Sequence, residues 1–315
     1  MGPILLIAIA AAAASALLAA GVAAGSVLAV PLFYLAPLPV MIAGIAFSPI
    51  AAGLSVVLAS VGLGLMFGGA FLLAYAVGIG APAFALAYAA MLARSDEADP
   101  EQLAWFPVGR LVLLAAAFAT VGVWVAVLSM ATDYESYKAA VTVAFDAMVG
   151  VPAGSPGDDA ESLGAFMAHV LPPMAGLITM VSQLFCLYLA GRAARISDRL
   201  ARPWPQISGL HLPRIAGFAL AVAMVVTLLP GMLGLAGSVA AATLVLGFAL
   251  QGFAVVHAIT VGSGSRFLVL AGVWLTTLVL GWPVLAMAVL GFTDAIFDFR
   301  SRLADGLPPP ATGGR

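Results

Sequence analysis

The first charged residue of this chain is Arg94. Before it there is no Lys, Arg, Asp, Glu, His, Asn or Gln, so the N-terminal third has no side chains with which to build a water-facing surface. Over all 315 residues only 8% are Asp, Glu, Lys or Arg, against roughly a quarter in soluble domains. Asparagine is absent altogether, which excludes an N-x-S/T glycosylation acceptor. Cys186 is the one cysteine, so an internal disulfide and a cysteine metal cluster are excluded as well. There is no phosphate-binding G-x-x-x-x-G-K motif, no H-E-x-x-H and no G-x-S-x-G. The residues therefore point to no enzyme, no cofactor and no metal. A process driven by ATP would need a separate subunit. No basic patch is long enough to bind nucleic acid.

What is present is apolar: 63% of the residues are hydrophobic, and they form continuous runs rather than alternating ones. In lipid only helices and closed barrels satisfy the backbone, and continuous runs select helices. The expected fold is all-α, a polytopic helical membrane protein with eight or nine spans and the lipid bilayer as its principal contact. No basic segment precedes Ile4, so the first run, 4–24, reads as a retained span rather than a signal peptide. A second span starts within PLFYLAPLPV (31–40) and runs to Phe47. Ser48-Pro49 opens a third that Gly68-Gly69 closes, and 71–92, 108–130 and 163–190 supply three more. Between Arg214 and Arg266 no charge occurs, and the stretch from Pro230 splits that run into two. The last run, 267–292, is interrupted by Trp282-Pro283 and is read as one crossing. YESYKAAVTVAFDAMV (134–149) has apolar residues at helical spacing and reads as an amphipathic helix on the membrane surface.

The segment from Arg192 to Arg214 holds five arginines and one acid, Asp198, whereas 132–162 holds six acids and Lys138. By the positive-inside rule the first is cytoplasmic and the second external, which puts the N-terminus inside.

Four groups of residues invite a functional reading. Ala8, Ala12, Ala16, Ala20 and Ala24 recur every four residues. Such a face lets two membrane helices approach closely, in this chain or with a partner, although an alanine-rich span produces the stripe by composition alone. Gln183, Gln251, His257 and Tyr75 are polar groups inside spans. They could line a polar cavity or relay protons, or they could simply bond a neighbouring helix. Asp294 and Asp298 stand at i,i+4, as do Asp298 and Arg302. The first spacing would suit a metal or proton site and the second an ordinary helix salt bridge, so an amphipathic structural end is favoured. Pro31, Pro37 and Pro39 forbid an unbroken regular helix over 31–39. Their rigid geometry suits an extended lid, or alternatively a kinked helix entrance whose Phe33 and Tyr34 sit at the membrane interface.

The small-residue first span, PLFYLAPLP, SPIAAG, QGFAVVHA and the closing LGFTDAIFDFR resemble the YybS-like family of uncharacterised bacterial membrane proteins, a domain of unknown function. Gly291, Asp294, Asp298 and Arg300 carry the closing motif. That family is similar in turn, distantly, to the substrate-binding S-components of energy-coupling-factor transporters. The resemblance implies a bacterial cytoplasmic (inner) membrane protein with an S-component-like six-span core over 1–193. A basic cytoplasmic loop over 194–214, C-terminal membrane helices over 215–292 and an amphipathic, disordered end over 293–315 complete the division. It also implies that PLFYLAPLP caps a ligand cavity with Phe33 and Tyr34, and that the alanine face docks a transmembrane coupling subunit or another membrane protein. Phe33, Tyr34, Tyr75, Gln183, Gln251 and His257 are then the candidate ligand-binding residues. The first four spans offer only hydroxyls, so the ligand of such a binding or transport subunit would be largely apolar. The competing functions are a scaffold for envelope assembly and an intramembrane lipid enzyme using Asp294 and His257.

Overall fold

The computed structural model describes residues 2–21, 29–95, 103–149, 158–298 and 300. They form two compact units. One comprises 1–203 with 222–243, and the other 204–221 with 244–315.

The first unit opens with α1 (Gly2–Ala20). The second span is two helices, α2 (Ala29–Phe33) and α3 (Pro37–Ala46), joined by a turn. α4 (Pro49–Phe67) follows, and Ser48 caps it by accepting a bond from the Ile50 amide at 3.2 Å. Gly68, at φ +97°, ends α4 in a backbone conformation open to glycine and starts α5 (Gly69–Tyr75). A π-helical turn, Ala76–Gly80, joins α5 to α6 (Ala81–Ala90). A short antiparallel ladder, β1 (Ala93–Ser95) with β2 (Leu103–Trp105), leads to α7 (Val108–Met130). α8 (Tyr134–Val149) is the amphipathic helix, and α9 (Asp158–Ile196) is long and carries Pro172 and Pro173 inside it. α10 (Ile215–Thr227) and α11 (Gly231–Ile259) contribute residues to both units, and α12 (Arg266–Leu280) and α13 (Pro283–Phe297) belong to the second.

Among the described residues seven segments are long and apolar enough to cross a membrane, and α10, α12 and α13 are shorter apolar helices of 10–17 residues. The all-helical membrane fold therefore stands. The eight or nine spans expected include helices that fall below a full crossing length when each is measured alone.

The alanine stripe is placed inside the chain. Ala8 and Ala12 are buried, and Ala16 and Ala20 are half-buried. α1 packs chiefly against α4, and Ala59 and Leu63 of α4 share a buried cluster with Ala12 and Ala19. Ala24 lies outside the described residues. Tyr75 and Ser15 meet at 2.6 Å, and Ser15 Oγ donates to the Ala36 carbonyl at 2.6 Å. A buried polar chain thus ties α1, the 34–36 turn and α5 together.

PLFYLAPLP is not extended. Pro31 is the third residue of α2, and Pro37 and Pro39 are the first and third of α3, positions whose amides need no intrahelical acceptor. Without the amides of Pro37 and Pro39, the carbonyls of Phe33 and Leu35 accept instead from Ala36 and Leu38, each at 3.0 Å. Leu38 is thereby withdrawn from Tyr34, whose carbonyl accepts from Ser182 Oγ and, at 3.4 Å, from Cys186 Sγ. Of the two readings open from sequence, the extended lid and the kinked helix, 31–39 thus takes the second, a broken helix pinned to α9.

At one end of the helix array the basic segment does structural work. Arg199 lies 4.6 Å over the Phe47 ring. Arg202 donates to the carbonyls of Ala90 at 2.9 Å and Phe106 at 2.8 Å. The ends of α3, α6 and α9 and the start of α7 therefore share one side. The α4–α5 joint and the end of α7 lie on the other.

Candidate functional site

A cavity of about 460 Å³ lies within the first unit, a size typical of small-molecule sites. Phe33, Tyr34 and Pro37 cover it from the broken second span. α5 and the π-turn contribute Leu73, Val77 and Gly78, α7 contributes Gly122 and Ala126, and α9 contributes Thr179, Ser182 and Gln183. The site therefore sits in the half of the array nearer the α4–α5 joint. Among the described residues no Asp, Glu, Lys, Arg or His lines it.

Gln183 is the unusual group. It is 1% exposed, and neither its Nε2 nor its Oε1 has a hydrogen-bond partner. A buried amide left unpaired costs about 1–3 kcal/mol, so most are paired. Here both ends of the amide are unsatisfied beside an open volume.

The candidate residues divide between two places. Phe33, Tyr34 and Gln183 surround the cavity. Tyr75 is buried next to this wall but is bonded to Ser15. Gln251 and His257 lie in the second unit. The sequence reading missed Thr179, Ser182 and the π-turn. Ser182-Gln183 was the available signal, two adjacent polar residues in an apolar span.

In the second unit the closing motif forms a buried hub. Asp294 is 1% exposed and accepts from Gln251 Nε2 at 2.8 Å and from Arg300 Nη2 at 2.7 Å. Arg300 also donates to the carbonyls of Ser208 at 2.7 Å and Leu210 at 2.9 Å, and Gln251 Oε1 accepts from the Leu212 amide at 2.9 Å. One ion pair and one amide thus hold the chain over 208–212. His257 stands apart from this arrangement, with Nδ1 2.9 Å from the Phe253 carbonyl of its own helix.

The i,i+4 bridge expected from Asp298 to Arg302 involves a residue outside the described ones, but the helix expected to carry Asp294 and Asp298 together stops short of the second acid. α13 ends at Phe297, and Asp298 takes the left-handed conformation, φ +48°, while its amide donates to the Asp294 carbonyl at 2.8 Å. This reversal is what returns Arg300 to Asp294. Arg302 lies outside the described residues.

His211 touches the hub from its surface, with Nδ1 3.0 Å from Arg300 Nη2. A guanidinium only donates, so this contact requires an unprotonated Nδ1. Burial and the neighbouring Arg300 charge lower the pKa of His211 below the usual histidine value, opposed by Asp294 and Asp298. The unfolded chain then binds the proton more readily than the folded one. Stability is full above about pH 6.5 and falls as the pH drops below it. Thermal unfolding in detergent between pH 8 and 5 should show this fall, and His211→Gln should reduce it. An unchanged pH profile in the variant would refute the assignment.

Among the described residues no cluster of His, Cys, Asp and Glu could hold a metal ion. The fold and these two centres define a polytopic, all-helical integral membrane protein with an apolar internal cavity. The chain belongs to the family described as predicted membrane protein (DUF2232), whose model matches residues 11–295. No curated protein and no solved structure matches it.

Proposed function

We propose that this chain is the small-molecule-binding subunit of a transport assembly in the bacterial cytoplasmic membrane. Its first six spans would correspond to the core of an S-component, as the YybS-like resemblance suggests, and a partner would supply the energy. The observation that carries the reading is the cavity with the unpartnered amide of Gln183 at its wall. Polar groups at membrane depth are expensive, and one kept without a protein partner is best explained by a partner that comes and goes. The five arginines of 192–214 support a cytoplasmic N-terminus, which puts the cavity in the outer half of the membrane. An impermeant thiol reagent that reached a cysteine placed at position 199 in intact cells, in a Cys186→Ala background, would reverse that orientation.

Ala126 is exposed on α7 and also lines the cavity, so Ala126→Trp should fill the site without disturbing packing. Native mass spectrometry of the full chain should find a small-molecule adduct on the wild type that Ala126→Trp lacks. A wild type with no adduct, or an adduct unaffected by the tryptophan, would remove the basis for this function.

A further inference from the structure

We infer that the cavity takes an uncharged amphiphile directly from the bilayer, and that Gln183 selects it by one polar group that both donates and accepts a hydrogen bond. This rests on reading the cavity as a binding site and adds the ligand's chemical class and its route.

The class follows from the lining. A charged headgroup would lose its hydration and find no opposite charge among the lining residues. A purely apolar ligand would leave both ends of the Gln183 amide as they are now, unpaired. A primary amide offers two donor hydrogens and an acceptor oxygen. An ether or ketone head would answer only the nitrogen, and a cationic head only the oxygen. A hydroxyl or a carboxamide answers both.

The route follows from how exposure changes along the wall. Ala70, Leu73 and Ala74 on α5, and Val125 and Ala126 on α7, line the cavity and are themselves exposed, as residues at an open mouth are. Pro37, Ile79, Val123 and Gln183 line it and are buried. The mouth is thus bordered by apolar residues on two membrane-spanning segments, with Ser129 the one exposed polar residue among the described lining residues, and the amide lies at the inner end. A ligand arriving by this path leaves lipid, places its tail against aliphatic side chains and reaches Gln183 with its head.

The test uses the full chain in nanodiscs and a set of photoreactive hexadecyl probes. They are identical except for the head: carboxamide, hydroxyl, carboxylate, trimethylammonium or methyl. Carboxamide and hydroxyl probes should label cavity residues of α7 and α9 at least about tenfold more than the other three, the scale expected for leaving a buried amide unpaired. Gln183→Leu, which is itself compatible with a span, should bring the carboxamide probe down to the level of the methyl probe. Ala126→Trp should block every probe. A short, water-soluble amide added from solution should compete poorly.

Equal labelling by carboxylate and carboxamide would overturn the ligand class, as would discrimination that survives in Gln183→Leu. Efficient competition by the water-soluble amide would overturn entry from the bilayer. In these three cases the binding site itself stands. If no probe labels the cavity, or Ala126→Trp changes nothing, the site reading falls and this inference with it.

Discussion

Asp294→Ala is expected to destabilise the protein by about 3–5 kcal/mol, the usual cost of stranding one partner of a buried ion pair. The side chains of Arg300 and Asp294 are 7% and 0% exposed, so water cannot replace the lost carboxylate. Gln251 would lose its acceptor as well. Against a total stability of about 5–15 kcal/mol, such a loss should be visible as reduced yield and early unfolding in detergent. Arg300→Lys should not rescue the site. A lysine ammonium is a compact charge and cannot fork between Asp294 and the carbonyls of Ser208 and Leu210. Asp294→Asn should be milder, because an amide oxygen can still accept from Arg300. Unfolding curves for Asp294→Ala that overlay the wild type would mean the ion pair contributes nothing.

A comparable loss is expected where α11 and α13 meet. A Cβ added at Gly252 would stand 1.9 Å from the Met287 carbonyl oxygen, and one at Gly291 would stand 1.9 Å from that of Phe248. The obstacles are backbone atoms, which cannot rotate away. Gly252→Ala and Gly291→Ala should each cost at or above the upper end of the roughly 1–3 kcal/mol typical of overpacking. Gly272→Ala is the control. No atom lies within 4 Å of its added Cβ, and alanine's better helix propensity should make that change neutral or slightly stabilising. The comparison is a melting series of the three variants, and equal behaviour would show that the close crossing is not required. Gly252 pairs with Met287 and Phe248 with Gly291, so the two helices run antiparallel.

Much of the fold was legible because a membrane reduces the problem to run length and interruption. Val108–Met130 and Tyr134–Val149 coincide with the segments read from composition and periodicity. Ser48-Pro49 and Gly68 punctuate α4 where their chemistry says they should. The cavity was less legible. Its walls come from four spans, and no local pattern states which helices are neighbours. That Gln183 has no partner is a property of those neighbours and not of its own helix. The pairing of Asp294 with Arg300 was missed for a different reason. Helical arithmetic continued α13 through Asp298, whereas a single left-handed residue turns the chain and makes partners of residues six apart.

The π-helical turn at Ala76–Gly80 bears on the shape of the cavity wall. Such a turn holds one residue more than an α-helix needs for the same closure. Removing a single residue there would let the fourth span run as continuous α-helix, with Leu73 and Ala74 keeping nearly their present orientation relative to Ala81–Ala90. Span count and hydropathy profile would be almost unchanged, yet the turn residues Val77, Gly78 and Ile79 would meet the cavity differently. Single-residue length variation at this turn is therefore a means of reshaping the cavity wall. Two chains with indistinguishable hydropathy profiles need not enclose the same cavity.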